Sequence, residues 1–201
     1  MNAYYLLSGE DSHESVFFEA TKIGFPVYEL AEAIEGLEEL PFTFSLRKVR
    51  KGRSGLVFSD DLSSLHELWL DLPPNSFALP LMSERAKSLI DRELTGNEGV
   101  EWVKSIVTYQ DVSHRYYVPR FRAKLDVLDI GQTIFVPNTD HIIKPVFSFE
   151  KIRNLSVFHV PSQRWPIPSV LYINDAVRSI LLENKITGAS FESLSESRIT
   201  R

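Results

Sequence analysis

The chain is 201 residues long, 43% hydrophobic and 24% charged, with a formal net charge of −5 and no cysteine. These figures exclude a disordered chain, a disulfide framework, a thiolate zinc site and a cysteine nucleophile. No apolar run reaches the roughly 18–20 residues of a membrane-spanning helix, and the acidic balance makes nucleic acid a poor partner for the whole chain.

Residues 3–7 are short, apolar and aromatic and read as a strand. The first eight residues carry neither the basic start nor the long apolar stretch of a signal peptide, which predicts a cytoplasmic protein. Charge is placed unevenly: residues 1–39 hold nine acids against one base, Lys22, while the remainder holds 18 acids and 21 bases. Within 28–40, Leu30, Ile34 and Leu37 fall at i, i+4 and i+7, which predicts an amphipathic helix stopped by Pro41. Its outer face would carry Glu29, Glu32, Glu35 and Glu39, a solvated surface or one that steers a basic partner. Residues 42–49 read as a strand, and five bases among residues 47–53 form a turn with a return strand at 55–58. Asp60 and Asp61 are placed to cap a short helix through Leu62, Leu65, Leu68 and Trp69.

The prolines at 73 and 74 suggest a division into 1–76, a smaller α+β part with the acidic helix, and 77–201, a second α+β part. The stretch is too short for a flexible linker, so the two halves are expected to pack as one unit. The second half contains an internal echo. Residues 77–90 and 170–181 each run from a short apolar strand to a capping residue, Ser83 or Asn174, followed by an acid. The cap oxygen satisfies free amides and the acid meets the positive end of the helix dipole. Both helices then approach a Thr-Gly pair, Thr95-Gly96 and Thr187-Gly188. The intervening residues read as strands at 114–118, 123–128, 133–136, 142–149 and 157–160, with one helical turn at 150–155. The predicted class is α+β, a largely antiparallel sheet with packed helices.

No motif carries catalytic chemistry. The five histidines are scattered, no Gly-x-Ser-x-Gly elbow or phosphate-binding glycine loop occurs, and Gly52-Arg53-Ser54-Gly55 reads as a hairpin turn. Asp126 and Asp129 would point to opposite faces of a strand, so a turn role at 129–131 is preferred over an acid–base pair. No metal and no cofactor is predicted. Arg164 and Trp165, in a loop between prolines, are of the residue types most enriched in interface hot spots.

Four stretches resemble bacterial immunity proteins of polymorphic toxin systems, the families numbered eleven and forty-three. They are 80–86 entering a helix, 124–129 with its Asp-Val-Leu-Asp, 147–160, and 172–191 with its strand, helix, Gly188 and Phe191. The similarity spans 79–194. It implies a non-catalytic protein that binds and occludes a cognate toxin, such as a nuclease with a basic cleft. Two other readings stand beside it: a different protein-interaction or regulatory module, and a small hydrolase-type enzyme with an unrecognised site.

Overall fold

Two sheets face each other across a pair of helices, and the sequence explains how each helix reaches its sheet. The computed structural model describes residues 3–10, 12–21, 23–24, 29–161, 168 and 170–200. In chain order the strands are β1 (Tyr4–Gly9), β2 (Glu14–Thr21), β3 (Thr43–Gly52), β4 (Gly55–Ser59), β5 (Met82–Ser83), β6 (Val100–Tyr109) and β7 (Val112–Phe121). There follow β8 (Ile134–Phe135), β9 (Ile142–Lys144), β10 (Phe147–Ser148), β11 (Val157–Phe158), β12 (Leu171–Asn174), β13 (Ala189–Ser193) and β14 (Ile199–Thr200). The helices are α1 (Leu30–Ala33), α2 (Glu84–Glu93), α3 (Phe149–Ile152) and α4 (Asp175–Glu183). The larger sheet has the order β2-β3-β6-β7-β5, with β4 paired to β3, and the smaller has β11-β12-β1-β13. Pairing between strands is antiparallel except for β3 with β6 and β10 with β14. The α+β class expected from the sequence is therefore the one found.

The two echoed stretches fold alike. Strands β5 and β6, joined through α2, both pair antiparallel to β7, which lies between them. Strands β12 and β13, joined through α4, flank β1 in the same way. Each unit is thus a strand–helix–strand whose gap is filled by a strand from elsewhere in the chain. Both helix starts are those the sequence predicts. The Ser83 hydroxyl accepts from the Ala86 N–H at 3.1 Å and the Asn174 side chain from the Val177 N–H at 2.9 Å, with Glu84 and Asp175 in the first turns.

Packing follows from the faces these helices present. Ala86, Leu89 and Ile90 of α2 and Val177 and Leu181 of α4 are buried together with Leu7, Leu171 and Ile173 of the small sheet and Met82 and Phe121 of the large one. The other face of the small sheet, with Tyr4, Phe158 and Tyr172, packs on Phe147, Val127 and Ile152. The far face of the large sheet, with Val16, Phe18, Phe44, Leu46, Val103 and Val118, is covered by Ile34, Leu40, Leu62 and Leu79. No helix among the described residues is long and apolar enough to cross a membrane.

The strand expected at 142–149 is split into β9, β10 and the start of α3, and three other predicted elements differ. The acidic helix is a single turn: Gly36 takes φ +72, and residues 38–40 run extended beside β6, where Leu40 N–H donates to Lys104 O and Lys104 N–H to Glu38 O, both at 2.8 Å. The stretch 62–69 forms turns rather than a helix. Asp61 does accept from the Ser63 N–H at 3.0 Å, but Leu62 turns inward to the core and breaks the helical run. Residues 123–127 are irregular and only Leu128 makes a bridge, to Phe147.

The joint at 73–76 is anchored. Phe18 N–H donates to Pro74 O at 2.9 Å and Ser76 N–H to Phe18 O at 3.1 Å. Asn75 is buried, and its side chain donates to Leu79 O at 2.7 Å and accepts from Leu79 N–H at 3.0 Å.

Candidate interaction surface

The acidic segment is held in place from across the sheet. Arg120 reaches over and donates to the carbonyls of Ile34 at 3.4 Å and Leu37 at 2.8 Å, taking acceptors that a continuing helix would have used internally. The same guanidinium and that of Arg122 grip Glu101 at 2.8 and 2.6 Å and hold its carboxyl below the usual carboxylate range. Glu39 is neutralised by Lys104 at 2.7 Å. Glu29 is half-buried, whereas Glu32 and Glu35 stand exposed with no ion pair among the described residues. Of the four acids singled out from sequence, the free charge is thus concentrated on these two. Arg164 and Trp165 lie outside the described residues.

A second surface has no counterpart in the sequence reading. Ile130, Ile134, Val136 and Ile143 are each between 39% and 62% exposed, four of the eleven exposed large hydrophobics among the described residues, gathered within fourteen positions. They sit on a small excursion whose base is well tied. Asp129 accepts from the Gly131 N–H at 3.0 Å, the turn role expected of it. Thr133 donates to Val146 O at 3.1 Å and accepts from Val146 N–H at 3.2 Å. The hairpin of β8 and β9 closes with Val136 N–H on His141 O at 2.8 Å, and Ile142 points back into the core. The scaffold is thus fixed while Ile130, Ile134, Val136 and Ile143 stay exposed to solvent.

Elsewhere the polar groups serve the fold. An open cleft of about 520 Å³ holds Trp69, Asp71, Ser83, Arg85, His114 and Arg115. Its buried carboxylate, Asp71, is fully occupied: it accepts from Ser83, from the Arg85 guanidinium and from the Thr187 N–H at 3.0 Å. The other buried carboxylate among the described residues, Glu98, accepts from Ser156 N–H at 2.7 Å and from Thr95. Neither is poised to move a proton to a substrate. His159 is buried against Phe121, with ring centroids 4.4 Å apart, and its burial lowers its pKa. Among the described residues no group of three or more His, Asp or Glu is arranged to hold a metal ion.

The chain matches the model of the Immunity protein family (Imm11) over residues 6–196. It belongs to that family. The match covers the stretch at 79–194 on which the resemblance rested, and it reaches back to residue 6 across a segment that carried none. Of the two families numbered eleven and forty-three, it selects the first. A search of curated proteins finds no match. Membership in Imm11 makes the chain an immunity protein of a polymorphic toxin system, an inhibitor rather than a catalyst, and implies that it binds a cognate toxin.

Proposed function

We propose that this Imm11 protein neutralises its toxin by occlusion in the cytoplasm, and that the outward isoleucines of the β8–β9 excursion form the centre of the contact. The supporting observation is the concentration of exposed Ile130, Ile134, Val136 and Ile143 on a hairpin whose own backbone bonds are satisfied. Occlusion needs a rigid apolar patch ringed by polar groups and no chemistry of its own. Asp129, Asp140, His141 and Lys144 supply charged and polar positions on the same excursion.

The experiment uses the product of the neighbouring gene as the toxin. Ile134→Lys combined with Ile143→Lys should weaken the complex roughly hundredfold, the loss expected for two central contacts, and abolish rescue of growth. The melting temperature should stay unchanged, because both side chains are exposed. Full binding by this double variant would remove the hairpin from the interface.

The acidic segment has a separate part in this reading, that of attracting a basic toxin surface before contact. Glu32→Lys with Glu35→Lys should slow association several-fold at low salt and flatten its dependence on ionic strength, with little change in dissociation. Stopped-flow association at several salt concentrations reads this directly. Identical salt slopes for both proteins would exclude steering by these two acids.

A further inference from the structure

Strand β4 is an open edge. Among the described residues it pairs with β3 alone, in the register Lys48 with Ser59 through Gly52 with Gly55. Backbone groups in an antiparallel ladder alternate between facing the neighbour and facing away, so its outer side presents unpaired donors and acceptors. Leu56, Val57 and Phe58 on it are between 39% and 59% exposed. Phe58 is braced by Phe17 at 5.1 Å and lies under Arg47 at 5.8 Å.

Natural sheets usually blunt such an edge with charge, proline or a bulge. The outer edge of β2 is covered by Pro74 and Ser76, and β13 carries Glu192. Gly55–Ser59 carries no charge, no proline and no register shift.

We propose that this edge pairs with the β4 edge of a second copy of the chain, antiparallel about a two-fold axis at Val57. The flanking sequence is self-complementary in that arrangement and in no parallel one. Centring on Val57 sets Leu56 against the partner copy's Phe58 on one face, an apolar cross-strand pair formed twice. The same register brings Arg53 in the turn alongside Asp61, again twice. Arg53 is exposed and has no ion pair among the described residues, and Asp61 is exposed as well. Each end of the joined strands thus has one positive and one negative charge in apposition. One five-residue strand per copy is less than the roughly 1,600 Å² of a standard interface, so the dimer forms in a concentration-dependent way.

Sedimentation of the full chain over a concentration series should show mass rising from 23.0 kDa toward twice that value. Leu56→Lys should hold the protein at the monomer mass. Arg53→Asp and Asp61→Arg should each weaken self-association roughly tenfold or more, because like charges then meet at both ends. An equimolar mixture of those two variants should dimerise again, since every contact in the mixed pair joins opposite charges. A merely misfolded variant gives no such rescue. A monomer at all concentrations overturns the proposal, as does dimerisation that Leu56→Lys leaves intact or a mixture no better than either variant alone. If β4 instead paired with an extended segment of the toxin, the free chain would stay monomeric and Leu56→Lys would impair only toxin binding.

Discussion

Gly188→Ala should destabilise the protein by about 3 kcal/mol or more, beyond the usual range for a single substitution. Gly188 sits just before β13 with φ +72, a left-handed backbone that costs an L-residue roughly 1–2 kcal/mol. The larger part is steric. A Cβ there would lie 2.6 Å from the Leu72 carbonyl oxygen and 3.2 Å from the Leu70 Cβ. Leu72 cannot retreat, since its N–H is bonded to Thr187 O at 3.1 Å and the Gly188 carbonyl takes the Glu10 N–H at 2.8 Å. Gly96 supplies the control. Its φ is +88 and a Cβ on it would meet nothing within 4 Å, so Gly96→Ala should cost only the conformational part. Urea unfolding of both variants separates the two contributions. Equal midpoints would mean that the 70–72 segment does not press on Gly188.

Asp71→Asn should rank next, at about 2–4 kcal/mol. The carboxylate joins three segments remote in sequence: its own loop, the first turn of α2 through Ser83 and Arg85, and the approach to β13 through Thr187. An amide turns one acceptor into a donor facing donors and removes the charge that Arg85 answers. Burial alone would raise the Asp71 pKa, but the bonds from Arg85, Ser83 and the Thr187 N–H outweigh it and the pKa is lowered. The sign of the linkage follows. The stabilisation is complete above the unfolded value of about 3.9 and is lost as pH falls through the lower folded value. The difference between wild type and Asp71→Asn should therefore be constant near neutrality and shrink below about pH 4. A constant difference down to the acid limit would show that the charge on Asp71 is not what counts.

What could be read from the sequence divides along the range of the causes. The starts of α2 and α4 were legible because a capping side chain and its amide are three residues apart. The Gly52–Gly55 turn was legible for the same reason. The acidic helix was overextended because the groups that end it, Arg120 and Lys104, lie more than sixty residues away and bond its backbone directly. Strand β2 passed unread although Val16 and Phe18 alternate with Phe17 and Glu19. Phe17, turned outward onto Phe58, blurs that two-residue period.

The surface was legible only in part. The glutamates of residues 29–39 stood out by composition, yet only the folded chain separates Glu39, paired with Lys104, from Glu32 and Glu35, which are exposed and have no ion pair among the described residues. Ile134 and Ile143 gave no signal, because an isoleucine destined for the surface is indistinguishable in sequence from one destined for a core.

The filling of the second strand–helix–strand gap by β1 has a temporal consequence. Leu7 finds its partner at Leu171 and its other neighbour at Phe191, so β1 is synthesised well before either strand that flanks it. At ribosomal rates of ~5–20 residues per second, β1 leaves the ribosome roughly 8–30 s before β12. During that interval its apolar residues need shelter, and no nascent fragment ending before β13 can close the small sheet. The small sheet is therefore assembled only after β12 and β13 have both been made, and β1 lacks both of its neighbours until then.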